Sequence, residues 1–250
     1  MPTAAWLLSA VASGLLAADG IEFTGPFASR SAQIVKRPTV RAATSWEAID
    51  SDVDFYGWML DHPTAAAALW NAFGLEVGTV EMLPDGWRSR EPDGLVLEFR
   101  RLHHSAGIRA YYCRATTPTG AIPRTATAEI VLIHDLRTVA MNDGTHRSMD
   151  RLEAWVSAEG AALRLVMKLA KGALANSVVR ALRETRQYFA LAAKMASRRP
   201  EWARAAVTKR PGLLRQEEAI AFDGHLQRIR PVVATEALVP RATDAPLRRD

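Results

Sequence analysis

The sequence predicts an α+β fold in which an antiparallel sheet packs on one long C-terminal helix, and three observations predict it. Residues 176–199, NSVVRALRETRQYFALAAKMASRR, keep one helical period: Val178, Leu182, Thr185, Phe189 and Ala192 form a stripe that Val179, Tyr188, Leu191 and Met195 widen. Residues from about Leu75 to Ser157 read as strand, turn, strand with no helical stretch between, which points to a meander and not to a parallel sheet with crossovers. Two short helical segments, DVDFYGWML and PTAAAALWNAFG, precede the strands.

Taken in order, residues 4–18, AAWLLSAVASGLLAA, carry no charge, are too short to span a bilayer and end in small residues, the outline of an export signal covering residues 1–18. The basic n-region of such a signal is missing, since the first Lys or Arg is Arg30. Export to the periplasm or beyond the cell is the first expectation; the second is a core helix in a cytoplasmic protein. Residues 19–51 are broken by Gly25, Pro26 and Pro38 and read as an N-terminal arm with one short strand near Ala32 to Val35. The first short helix follows, and His62-Pro63 separates it from the second, which Gly74 ends. Phe55, Trp58, Met59, Leu69, Trp70 and Phe73 are their expected buried side chains. Asp50, Asp52 and Asp54 have the spacing that opens a calcium loop, yet Phe55 stands where such a loop needs Gly and Asp61 where it needs Glu. These acids suit a helix N-terminus instead.

The strands are LEVGTVEML, WRSRE, LVLEFRRLHH, IRAYYCRATT, TAEIVLIHDLRTV and THRSMDRLEAWVSA. Pro84-Asp85-Gly86, Pro92-Asp93-Gly94, Ser105-Ala106-Gly107 and Asn142-Asp143-Gly144 supply turns between them, and Pro118, Gly120 and Pro123 a loop. A short amphipathic helix, Gly160 to Lys171, leads into the long one, which Pro200 stops. Two accessory helices are expected in residues 200–230, and a mobile basic tail in 231–250.

Charge is uneven along the chain. Residues 1–159 hold 14 basic and 19 acidic side chains, and residues 160–250 hold 18 and 8. The basic third fits either a solvated helical face or an anionic membrane surface. Cys113 is the only cysteine, so no intrachain disulfide forms.

Strand alternation assigns faces. Leu95, Leu97 and Phe99 share one with Arg101; Ile108, Ala110 and Tyr112 share one with Arg114. Ile130, Leu132 and Leu136 share one with His134; Leu152, Ala154 and Val156 share one with Asp150. If these faces lie beneath the long helix, Arg101, Arg114, His134 and Asp150 give an apolar interior one polar end. A register shifted by one residue turns the same four side chains to water.

The order of two short helices, an antiparallel meander and a covering C-terminal helix resembles the START-like (helix-grip, SRPBCC-type) superfamily over about residues 52–199. FYGWMLDHPTAAAALWNAFG carries one half of the likeness, and THRSMDRLEAWVS with ALRLVMKLAKGALANSVVRALRETRQYFALAAKM the other. Its texture is similar to exported bacterial proteins of unassigned function. The resemblance implies a curved sheet gripping the last helix around a pocket for an apolar or amphipathic molecule. Phe99, Tyr112, Leu132, Trp155, Val178, Leu182 and Phe189 would line it, although the same pattern also builds a filled core.

No G-x-S-x-G, P-loop or G-x-G-x-x-G motif occurs, and the histidines lack metal-ligand spacing. His103 and His104, adjacent on a strand, point to opposite faces. His134 with Asp135 and His146 with Asp150 are loose acid–base pairs at most. The sequence thus nominates no catalytic residue, metal or cofactor. RAYYCR, Arg109 to Arg114, hints at stacking on single-stranded nucleic acid, which export contradicts. Three functions follow as expectations: a binder or carrier of a lipid or other hydrophobic small molecule, a structural or interaction protein docking through its basic C-terminal third, and an enzyme using the polar cluster.

Overall fold

A computed structural model describes residues 20–75, 77–119, 124–140, 146–160, 171–208 and 214–229. The expected export segment, the helix between Gly160 and Lys171, the Asn142-Asp143-Gly144 turn and the tail lie wholly or mainly outside these residues. Helix α1 (Ala28–Lys36) is followed by β1 (Val40–Ala43), β2 (Glu47–Ala48), α2 (Val53–Asp61) and α3 (Pro63–Ala72). Strands β3 (Thr79–Leu83), β4 (Gly86–Arg90), β5 (Val96–His104), β6 (Ile108–Thr119), β7 (Arg124–Ala140) and β8 (His146–Ala158) come next. Helices α4 (Lys171–Arg198), α5 (Pro200–Thr208) and α6 (Gln216–Arg228) complete the chain.

The fold is α+β, with one open, curved antiparallel sheet of order β1-β8-β7-β6-β5-β4-β3 and β2 pairing beside β1 on β8. Consecutive strands from β3 to β8 are neighbours, as a meander requires. The crossing runs from β2, beside β1 on β8, through α2 and α3 to β3 at the opposite edge. Leu83 pairs with Gly86 across a turn of Pro84 and Asp85, where the sequence places its turn.

Two corrections concern the N-terminal part. The strand expected near Ala32 is the middle of α1, where Ser31 and Ile34, one turn apart, are the buried residues. The strand of this region lies later, at β1, where Val40 pairs with Val156 and Ala42 with Ala154. Residues read as an arm therefore close the sheet edge and cover one of its faces.

That outer face carries Leu102, Ala110, Tyr112, Val131, Ile133 and Trp155, packed with Ile34 of α1 and with Phe23 and Phe27. The Phe27 ring stacks on Tyr112 at 4.5 Å. On the inner face, Ala42, Leu152 and Ala154 pack with Leu182 of α4. A third cluster joins Phe55, Tyr56 and Met59 of α2, Leu69 of α3, Phe189, Ala192 and Ala196 of α4, Ala203 of α5 and Phe222 and Leu226 of α6. The Asp52 side chain caps α2 by accepting from the Phe55 amide at 2.8 Å, the role expected of this acidic run. Phe73, expected inside, is 42% exposed, because α3 ends there.

Candidate functional site

Helix α4 lies over β1 and β8, and this position decides what the inner face can do. Along β8 the inward series is Val156, Ala154, Leu152 and Asp150; along β7 it is Ile130, Leu132, His134 and Leu136. Leu152, Ala154 and Leu182 are buried. Ile130 and Leu132, with Val178 and Val179 across from them on α4, are only half-buried, as are Leu97 and Phe99 on β5. An apolar strip thus runs beside the long helix with incomplete cover.

One end of the strip is polar. Leu136 pairs with Asp150 and His134 with Leu152 in the β7–β8 register, which sets the His134 and Asp150 side chains side by side on one face. His134 Nε2 lies 3.1 Å from Asp150 Oδ2. The Tyr56 hydroxyl of α2 donates to the same oxygen at 2.5 Å. Arg186 Nη1 stands 3.9 Å from Asp150 Oδ1, and its Nη2 pairs with Glu47 of β2. A carboxylate 1% exposed requires such partners, since an unpaired buried charge is strongly destabilising. Burial first, and Asp150 second, hold the Tyr56 phenol well above its ordinary pKa, so it stays a donor.

A second ion pair, buried at Arg109 and half-buried at Asp61, sits next to the first. Arg109 of β6 lies opposite His134 in register. Its Nε and Nη2 fork onto Asp61 at the end of α2, at 3.1 and 2.9 Å, and Nη2 also donates to the Gly57 carbonyl at 3.1 Å. This contact explains a glycine within a helix: a Cβ at Gly57 would stand 3.0 Å from Arg109 Nη2. His104 Nε2 completes the group, 3.1 Å from Asp61 Oδ2.

Of the four polar residues nominated from the sequence, the fold brings together His134 and Asp150 and separates Arg101 and Arg114. Arg114 follows Tyr112 on the outer face and reaches Glu159 at 3.3 Å, because β6 carries its even-numbered side chains toward α1. Arg101 precedes a register shift between Arg101 and His103 and lies exposed beside Asp61, His62 and Arg215. Tyr56, Arg109 and Arg186 take the places that reasoning from strands alone gave to these two. Alternation could have found Arg109, which shares its face with Tyr111 and Cys113; Tyr56 and Arg186 enter from helices and needed the tertiary arrangement. Asp135, beside His134 in sequence, points the other way and binds Arg137 at 2.7 Å. The His146 side chain lies outside the described residues.

The apolar candidates also divide. Leu132, Val178 and Leu182 meet on the inner face, and Phe99 stacks on Trp87 at 4.6 Å. Phe189 sits further along α4 among the helices. Tyr112 and Trp155 lie on the outer face beneath α1, because they alternate with Tyr111 and Ala154, which point inward. Both Tyr111 and Tyr112 are buried, at 3% and 5% exposed, so RAYYCR presents no free ring for a base to stack on. Burial also raises the Cys113 thiol far above its ordinary pKa, which leaves it a small packed side chain and not a nucleophile.

No family model and no curated protein matches this chain. Among the described residues, no three His, Cys, Asp or Glu side chains converge to hold a metal ion. The Tyr56–Asp150–His134 group is sealed, with exposures of 0%, 1% and 4%. Tyr56 and His134 both bond to Asp150 Oδ2, out of reach of solvent. The half-covered apolar strip lies beside them, between β7 and α4.

Proposed function

We propose that this chain is a START-like, helix-grip protein that binds or carries a lipid or other hydrophobic small molecule, outside the cytoplasm, between the inner face of its sheet and α4. The sheet order and the long covering helix are compatible with that superfamily. One observation carries the reading: Ile130 and Leu132 of β7 and Val178 and Val179 of α4 keep partial exposure on facing surfaces, as Leu97 and Phe99 do farther along the same sheet face, while Leu152, Ala154 and Leu182 are buried. A filled core would bury all of these; an apolar chain lying along the strip would complete their burial, at about 25 cal/mol for each Å² removed from water. The polar end gives the strip a direction, with His134 and Asp150 behind its last apolar layer.

An enzymatic reading is less well supported, because the convergent polar groups are mutually bonded and shielded. The test is an organic extract of the purified full chain, analysed by mass spectrometry beside a mock purification, together with titration by a fluorescent fatty acid. A near-stoichiometric apolar molecule is expected in the extract. The probe should saturate at one equivalent, and Leu132→Glu should weaken it by about ten-fold or more, since a buried unpaired charge must be desolvated. An empty extract with no saturable probe uptake overturns the proposal.

A further inference from the structure

Five large apolar side chains are exposed among the described residues: Phe73, Leu75, Val139, Leu191 and Ile220. Three of them belong to one surface. Phe73, 42% exposed, closes α3 with its ring stacked on Trp202 of α5 at 4.2 Å. Leu75, 51% exposed, follows directly, and Leu191, 46% exposed, stands on α4. Met195 lies one turn beyond Leu191, and Trp70 ties α3 to α4 by donating from Nε1 to the Tyr188 carbonyl at 3.1 Å. Between Phe73, Met195 and Trp202 is a recess of about 310 Å³ whose remaining lining is Arg198 and Arg199.

We infer that this surface docks on an anionic lipid bilayer. Its composition is that of a membrane-interface site: an aromatic pair and aliphatic side chains for the acyl boundary, with arginines at the rim for lipid phosphate. Arg198 and Arg199 are both exposed. Of the acidic neighbours, Asp50 is held by Lys194 at 2.5 Å and more loosely, at 3.4 Å, by Arg198 itself, and Glu201 by Arg204. The excess of basic residues in 160–250 supplies longer-range attraction to the same partner. No helix of the described residues is long and apolar enough to cross a membrane, so these helices would lie on the surface. A second copy fits less well. Isologous pairing through this patch would bring the arginines of both copies together across a desolvated apolar centre.

The inference does not depend on a ligand beside α4. The test is co-sedimentation of the full chain with phosphatidylcholine vesicles, and with vesicles in which about a quarter of the lipid is phosphatidylglycerol. Partitioning is expected into the anionic vesicles only. Arg198→Glu with Arg199→Glu should weaken it by about five-fold or more per charge. Leu75→Ser with Leu191→Ser should weaken it at least as far while leaving the circular dichroism melt unchanged, because both side chains are exposed. Equal partitioning of the parent and the serine variant overturns the inference, as does failure to bind anionic vesicles at low salt. Concentration-dependent dimerisation, seen by sedimentation velocity without lipid and abolished by Leu191→Ser, assigns the patch to a second copy and also overturns it.

Discussion

Asp150 shows how single residues organise the interior. It lies on a strand whose other inward residues, Leu152, Ala154 and Val156, are apolar, and it holds Tyr56 of α2, His134 of β7 and Arg186 of α4 around one carboxylate. Tyr56 and His134 are held by directional bonds, where apolar contacts alone would tolerate sliding, and Arg186 of α4 adds its charge at 3.9 Å. Tyr56→Phe keeps the ring and removes the donor, and should cost about 1.5–3 kcal/mol, the range for a hydrogen bond to a charged group. Asp150→Ala should cost more, about 3–5 kcal/mol, because Arg186 and His134 lose their shared partner inside the protein. The double variant should fall short of the sum, since both changes remove the same bond. Urea midpoints at constant m-value measure all three. Additive losses would mean that Tyr56 and Asp150 act separately.

At the scale of elements, the sheet and helices were legible wherever a pattern was long or a turn had its own chemistry. Pro84-Asp85-Gly86 marks the β3–β4 hairpin, and Gly86 has a further reason to be glycine: a Cβ there would stand 1.9 Å from the Phe99 carbonyl oxygen on the next strand. Gly86→Ala must force β4 from β5, and a loss of about 2 kcal/mol or more is expected. Gly224→Ala in α6, with nothing within 4 Å of the added Cβ, should instead stabilise by about 0.5–1 kcal/mol. Thermal melts of the two variants beside the parent decide this, and a harmless Gly86→Ala would show that the strands can part freely. Less was legible in α1, whose nine residues are too few to reveal a period. In the stripe of α4, Leu182, Phe189 and Ala192 are buried and Val178 half-buried, but Thr185 and Leu191, expected in it, are exposed and Arg186 is buried. Hydropathy cannot foresee that inversion, since a buried arginine is set by Glu47 and Asp150, which arrive from β2 and β8. The candidate site suffered for the same reason: strand alternation supplied His134 and Asp150, while the partners that settle their environment come from helices.

Over the whole molecule, the titrating groups define a window of stability bounded on both sides. Among the groups with shifted pKa values, His225 of α6 lies below its ordinary 6.5, chiefly from burial and then from Arg228, with Asp52 and Asp54 opposing and His62 assisting. It packs 5.3 Å from the Trp58 ring as a neutral imidazole. Glu129 is lowered by its hydrogen bond from Arg30, against burial; for Glu98 burial acts upward, and the hydrogen bonds and charges of Arg100 and Arg88 outweigh it. In all three the unfolded chain takes up protons at a higher pH than the folded one, so stability falls as pH falls: first below about 6.5 for His225, then below about 4.5 for the carboxylates. On the alkaline side the sign reverses. Cys113, Tyr111, Tyr112 and Tyr188 are raised, mainly by burial, from ordinary values of 9.0 and 10.0. The unfolded chain releases these protons first, and stability is lost as pH rises past about 9. The melting temperature should therefore be flat between about pH 6.5 and 9 and fall on either side. His225→Gln should remove the first part of the acid limb and leave the carboxylate part in place, because only one of the three groups has been replaced. Circular dichroism melts across the range test both limbs. A melting temperature that holds steady above pH 10 would contradict the burial of the tyrosines on β6, and with it the packing of α1 and α2 against the two faces of the sheet.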